Sequence, residues 1–539
     1  MQMRKWIMIL AVMMAAAPAA CLAGTAKSAG GFEILSDVTD FAGSGGRTAG
    51  NFSLHSSIGQ SVGHVSSTSG NYELVGGFLG VVDETAPTLE FTSPTAADTA
   101  SGTIDVVATA FDENGLQWTL YYGPGATPDS YTQLSTGAAN VATSTIGSWD
   151  TSAFAGTYSA VLVGTDDRGN TATATVSFSV VNMITISGTI PVHKWVLVST
   201  PIQPTANDPV SMYGTGEYKV YRWNPEKEYV QDFGRYEYPA TVDAGHAYWV
   251  KSYENDKNYS YTGPLTDTSQ DYAQAVKIGW NQVGTPFNDT FPWGQVRVRY
   301  NSNVYDLTTA AGMGLISSTV TSFDNASNSM LQHDTTLSMV LQTGYNIRVY
   351  ADLELLFDPD TAGAAPRQLA KVIRSPYDYR VKISARGAVS ADLDNYFGTA
   401  HDAAGEFDRH DFEEPMKTPG STFTSLYFPH ENWQRNAGRY ANDVRTTAAA
   451  GEEDWPLNVE TTETGETITL SWNSSDIPAD FYTFTLVNVD TGERIDMAAQ
   501  DTCTYVAAGE GTSETHFRIE VRGGGEATEI SRSIVLTPG

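Results

Sequence analysis

Cysteine is almost missing from this chain: Cys21 and Cys503 are the two in 539 residues. Cys21 belongs to an N-terminal segment that reads as removable, which leaves Cys503 alone and an intramolecular disulfide impossible. Large apolar cores must therefore replace the staples that small exported domains rely on. Cys503 itself is expected as a small buried residue on a strand. Basic residues are scarce as well, 31 against 62 acidic ones, for a net charge of −31. Nucleic-acid binding concentrates Lys and Arg against phosphates, so no nucleic acid is expected as a partner. Beyond the N-terminus no segment approaches the run of about 20 apolar residues that a spanning helix needs, so no transmembrane span is expected. Catalytic signatures are missing too. There is no His-Glu-x-x-His, and no Gly-x-Ser-x-Gly elbow follows a buried strand and opens a helix.

What is present begins with an export signal over residues 1–23. Arg4 and Lys5 form its positive start, Trp6 to Ala17 its apolar core, and Cys21-Leu22-Ala23 a small-residue exit before Gly24. Cys21 leaves open a second reading, lipid attachment, although Pro18 stands where lipoprotein sites normally carry Leu. The mature chain is too long for one core, so roughly three to five domains are expected. Its 49 glycines and 27 tyrosines suit strands joined by tight turns, and the fold class is all-β, multidomain.

Residues 24–82 read as a β-leader, with Gly50-Asn51-Phe52-Ser53-Leu54 echoed by Gly70-Asn71-Tyr72-Glu73-Leu74. Residues 83–182 have the strand rhythm of a sandwich, with Ile104 to Phe111 and Gly156 to Val163 alternating. Residues 183–350 read as a duplicated β-unit. Lys194-Trp195-Val196-Leu197-Val198-Ser199-Thr200-Pro201 matches Gly279-Trp280-Asn281-Gln282-Val283-Gly284-Thr285-Pro286, and 243–250 matches 342–349. Residues 351–450 read as a loop-rich connecting segment with one strand, Tyr379 to Ala385. Residues 451–523 form a last β-module, and 524–539 a tail.

Three resemblances follow from these phrases. The Thr85-Ala86-Pro87 entry and the Asp167-Arg168-Gly169-Asn170 turn resemble bacterial Ig-like domains. Leu470-Ser471-Trp472, Phe481 to Glu493 and Thr515 to Val521 resemble the Ig-like module of flagellar hook-capping proteins, which recurs at the C-termini of exported bacterial surface proteins. The duplicated unit looks like a β-repeat of Gram-negative secreted proteins, some of which use the type IX pathway. Together these imply a non-enzymatic protein that is secreted or displayed on the outer surface, with an adhesive, scaffolding or assembly role and protein or glycan partners. A periplasmic protein or lipoprotein is the alternative address.

Candidate sites are few. Asp392, Asp394 and Asn395 offer hard oxygens for calcium, although the run lacks the EF-hand spacing and a solvated turn is the weightier alternative. Asp83, Glu84, Asp112, Glu113 and Asp166 form a second calcium candidate; no other cofactor is implied. His401, His410 and His430 have no ligand spacing and are expected at the surface. No residue is assigned as catalytic, and a cryptic hydrolase within 392–445 is kept as an alternative. Trp195, Trp223, Trp249, Trp280 and Trp293 raise another, a carbohydrate-binding accessory protein. Trp195 and Trp280 occupy equivalent repeat positions, however, as core residues would.

Overall fold

The computed structural model describes residues 85–228, 235–365, 376–420, 422–446 and 452–523, and the backbone of short strands between residues 28 and 76. The signal segment, Cys21 and the 524–539 tail lie outside the described residues. In the N-terminal unit Arg47–Ala49 pairs with Phe52–Leu54, and Val65–Ser69 with Tyr72–Gly76, both antiparallel. The echoed phrases are thus two hairpins of one kind.

Everything else described is organised by β-sheets, as the composition implied. Residues 88–180 form a sandwich of a five-stranded and a three-stranded sheet. Its core gathers Val106, Leu120, Trp149, Leu162 and Phe178, and Trp149 stacks on Tyr122 with centroids 4.4 Å apart. This is the expected Ig-like sandwich. Among the described residues no helix is long and apolar enough to cross a membrane.

The duplication is visible in strand order. In the first copy Trp195–Ser199, Ala247–Ser252, Tyr218–Trp223 and Tyr236–Glu237 lie side by side. In the second, Gly279–Val283, Tyr345–Val349, Ile316–Asp324 and Ser329–His333 repeat that order. Trp195 pairs with Lys251 and Trp280 with Arg348, and both tryptophans are buried. The hydroxyls of Tyr248 and Tyr345 each accept the N–H five residues back, from Asp243 and Val340, at 2.9 Å. These pairs put Tyr248 opposite Tyr345 in the repeat, so the 243–250 match with 342–349 is slipped by two residues. Glycine caused the slip. The left-handed position is Gly245 (φ 74°) in one copy and Gln342 (φ 58°) in the other, so a match on the glycines aligns the wrong residues.

The two copies lock together about a pseudo-two-fold axis. Val198 bridges Thr343 and, reciprocally, Val283 bridges His246. The N–H of Ser199 donates to the Gln342 carbonyl at 3.2 Å, and that of Gly284 to the Gly245 carbonyl at 2.8 Å. Such an exchange of equivalent contacts is the geometry of an isologous interface, here within one chain.

Residues 377–523 form one further sandwich, and here the structure corrects the domain reading. The supposed connecting segment supplies Tyr377–Arg386, Ala391–Ala400, Thr424–His430 and Gly438–Thr446, which continue through hydrogen-bonded pairing into the last β-module. Thr424–His430 pairs with Gly438–Thr446 at one end and with Glu452–Thr461 at the other, carrying the chain between the two faces. One core joins Val381, Ile383 and Phe397 to Trp455, Leu470, Phe484 and Ile519. Cys503 is buried in that core, as expected.

Candidate functional site

A β-bulge decides where the candidate calcium ligands point. Ala385 pairs with Asp392 and Ile383 with Asn395, so Leu393 and Asp394 together oppose Ser384. Paired residues share a face, and Ala385 and Ile383 are both fully buried in the sandwich core. Asp392 and Asn395 therefore lie on one face of the strand. Asp394 goes elsewhere: it pairs with Lys382 and accepts the N–H of Gln332 at 2.9 Å. The bulge sets two of the three candidates on one face and turns the third toward the neighbouring repeat, where it borders the same cavity as Asp392.

Glu414 joins them. It follows the short strand Phe412–Glu413, which lies against Gly438–Thr446, and its N–H donates to the Arg439 carbonyl at 2.8 Å. Ser425 Oγ donates to Glu414 Oε1 at 2.8 Å, and the N–H of Leu426 donates to Asp392 Oδ2 at 2.7 Å. The two carboxylates are thus seated on consecutive residues of one strand. Burial pushes the Asp392 carboxyl up to about 6 and the Glu414 carboxyl well above its ordinary value, the two charges opposing each other. Glu414 and the fully buried Asn395 both hydrogen-bond the Asp392 carboxylate. A cavity of about 50 Å³ opens beside the two carboxylates, walled by Ser329, Met330 and Gln332 of the second repeat and by Asp392, Asp394, Glu414, Lys417 and Ser425 of the sandwich. Nothing in the sequence marks Glu414, because only the fold brings it to Asp392.

The seam around this cavity is densely tied. Gln332 and Asn442 exchange amide hydrogen bonds of 3.0 and 2.9 Å. Arg348 pairs with Glu413, Trp280 meets Phe412 edge-on with centroids 5.6 Å apart, and Tyr236 donates to the Lys417 carbonyl at 2.6 Å.

The histidines depart from expectation. His430 is buried, its ring stacked on Trp433 at 3.5 Å, with Nε2 2.8 Å from Asp443 Oδ2. Burial works to raise the Asp443 carboxyl, yet His430 and Arg445 hold it below the usual range. The His410 side chain is also largely enclosed, 3.0 Å from Asp402, whereas His401 sits exposed and bonds the Pro376 carbonyl. The two enclosed rings therefore take different carboxylates, and among the described residues no three His, Cys, Asp or Glu gather as a metal centre. Of the second calcium candidate, Asp83 and Glu84 lie outside the described residues. Asp112 accepts the N–H of Asn114 within its own turn. Trp195, Trp249, Trp280 and Trp293 are buried, and Trp223 is half-buried against Tyr236.

No family model and no curated protein matches this chain. Among solved structures it is similar to the N-terminal eight Ig domains of Down Syndrome Cell Adhesion Molecule, at 11% identity. That match covers 81% of this chain and 67% of that one, with a TM-score of 0.15. It is also similar to the human Desmocollin-1 ectodomain, at 12% identity over 73% and 80% of the two chains, with a TM-score of 0.13. Likenesses at this level carry no argument, and the fold class rests on the strand order itself.

Proposed function

We propose that this chain is an exported, non-enzymatic protein of adhesive or scaffolding type, whose modules hold surface loops and sheet edges in fixed register for protein partners. The observation that carries the reading is how the modules of residues 87–523 are joined. At the first junction the N–H of Ala155 donates to Thr268 Oγ1 at 2.9 Å, and the N–H of Thr268 returns to the Ala155 carbonyl at 2.8 Å. Buried Asn182 ties the Ser101, Gly102, Thr151 and Phe154 positions together beneath it. The pseudo-two-fold lock forms the second junction and the Gln332–Asn442 seam the third. Contacts of this density keep neighbouring modules from turning independently, which serves a spacer more than a hinged enzyme. The buried tryptophans weigh against sugar stacking, since a glycan platform has to be open to its ring.

Such a protein would carry an export signal at residues 1–23, with lipid attachment at Cys21 as the alternative, and reach the outside by a Gram-negative, type IX-like route. Fractionation of producing cells, protease shaving and mass spectrometry of the mature N-terminus test them. The expected result is a shaved external protein starting near Gly24, and deletion of the protein reduces attachment or envelope assembly. Retention in the cytosol overturns the reading. So does turnover of a substrate that is lost in His410→Ala or His430→Ala.

A further inference from the structure

We propose that a cavity between the two repeats, floored by Gln274 and His246, binds a neutral sugar residue at the end of a glycan chain. This goes beyond the scaffolding reading and is tested without it.

Three observations carry it, and the first is shape. A cavity of about 200 Å³ lies between residues 222–226 and 246–248 of the first repeat and residues 274–277 and 281–283 of the second. Of the residues that line it, Arg222, Glu226, Ala275 and Lys277 are exposed, whereas Gln274 and Gln282 are buried. The cavity is thus a recess that opens to solvent and ends on polar side chains, the form of a small-molecule site rather than of a flat contact surface.

The second is an amide with nothing to hold. Gln274 stands on the inward face of the strand Tyr272–Val276, flanked there by Tyr272 and Val276, which both pack into the core of the second repeat. It is 3% exposed, its Oε1 is buried without a hydrogen-bond partner, and no described residue bonds its Nε2. A buried amide left unpaired in an apolar row costs stability, so its presence there points to an occupant. His246 has a free atom too. Its Nδ1 lies 3.1 Å from the Ala244 carbonyl, which places the proton on Nδ1 and leaves Nε2 as an acceptor. Burial lowers the affinity of the ring for a second proton. The third observation is a difference between the copies. Val196 and Leu197 of the first repeat stand where the second carries Asn281 and Gln282, and the strand pairs in the same way with either. The fold therefore does not demand amides on this wall. Both are held in place, Gln282 by the Trp223 N–H at 2.9 Å and Asn281 by the Lys277 N–H at 3.1 Å.

The free groups select the ligand. One amide and one neutral imidazole offer acceptors and a donor but no net charge. Around them the ionic side chains are already matched, Arg222 with Glu237, and Lys277 with Glu226 and Asp352. A charged ligand finds no unpaired counter-ion there, whereas a hydroxyl both donates and accepts and so satisfies each free atom. A sugar brings several hydroxyls on one rigid ring. The exposed lining residues are charged or small, without the aromatic anchors of a protein-binding hot spot. The ring is gripped by hydrogen bonds inside a recess, which needs none of the buried tryptophans as a stacking platform.

The test applies the full mature chain to an array of neutral glycans. Calorimetric titration follows with the methyl glycosides of glucose, galactose, mannose and N-acetylglucosamine, and with propionamide as a mimic of a glutamine side chain. The expected result is saturable binding of a saccharide, weakened roughly tenfold or more by Gln274→Leu, which keeps the bulk and removes the amide. Because that amide has no partner in the free protein, Gln274→Leu should melt no lower than the wild type. His246→Leu removes the other free acceptor and should weaken binding as well, so it decides the matter if Gln274→Leu does not fold. Thr175→Ala, exposed on the Ig-like sandwich, should bind as the wild type does. Saccharide binding that is unchanged in Gln274→Leu and in His246→Leu overturns the proposal, and so does a wild type that binds no saccharide. Binding of propionamide alone also overturns it and assigns the recess to a side chain of a protein partner.

Discussion

At the scale of single residues, the pseudo-two-fold axis imposes a condition that identical halves cannot meet. Equivalent residues face each other across it, and a Cβ on Gly284 would lie 2.1 Å from the Ser199 Cβ. A Cβ on Gly344 would lie 2.6 Å from that of Ala247. In each pair one member must be glycine, which a duplicated chain can encode. Gly284→Ala should therefore cost about 1–3 kcal/mol, the usual penalty of overpacking, seen as a lower melting temperature. Adding Ser199→Gly should recover much of it, since the swap only exchanges which half carries the side chain. Glu463 gives a second case. It is buried and accepts the N–H groups of Val389 and Ser390 at 3.0 and 2.9 Å, as well as the Ser390 hydroxyl. Glu463→Ala should cost about 2–3 kcal/mol, because charged hydrogen bonds are lost and buried donors stay behind. Chemical denaturation with an unchanged slope would check it.

At the scale of elements, hydrophobic pattern revealed most of what it could. Alternation in Ile104 to Phe111 and in Gly156 to Val163 named real strands, and the paired Trp195 and Trp280 named a real duplication. Register was legible only where the same residue type fills the same role. Tyr248 and Tyr345 close equivalent turns, but a Gly and a Gln share the left-handed position, so a match on glycine misled. Titration was not legible at all. His246 is enclosed at the repeat interface, where burial lowers its affinity for a proton, while Asp243 favours the charged form and Arg222 opposes it. An unfolded histidine takes up its proton near pH 6.5. At this residue the unfolded chain thus binds more protons than the folded one just below that pH, and the contribution of His246 to stability falls as the pH drops. Between pH 7 and pH 5.5 the melting temperature of His246→Gln should therefore gain on that of the wild type, with differential scanning fluorimetry as the readout.

At the scale of the whole molecule, the largest departure from the sequence reading is the C-terminal sandwich, and its cause is burial on two sides. Ala391–Ala400 and Gly438–Thr446 show no inside–outside alternation, because long stretches of both are covered on each face. One face meets the sandwich core and the other meets the second repeat, through Gln332, Trp280 and Arg348. Polar side chains such as Asn395, Asn442 and Asp443 are buried there, so the segment looks like a charged loop when read by composition alone. The candidate site suffered the same way: Asp392 and Asn395 were visible as oxygen donors, but Glu414 meets them only once the sheet has folded over. The physical consequence concerns where the chain can be cut. A fragment of residues 452–523 carries Trp455, Leu470, Phe484 and Ile519 but lacks Val381, Ile383, Phe397 and Phe428, which cover them. It also lacks Tyr377–Arg386, the partner of Thr467–Trp472, and Thr424–His430, the partner of Glu452–Thr461. Expressed alone it should be unfolded or aggregated, with no cooperative melt and no dispersed amide spectrum, since two bare sheet edges and half a core cannot offset chain entropy. A fragment of residues 376–523 should melt cooperatively, because both halves of the core and every strand pairing within it are present. A stable, well-dispersed 452–523 would show instead that the last β-module folds by itself, and would return the domain boundary to residue 451.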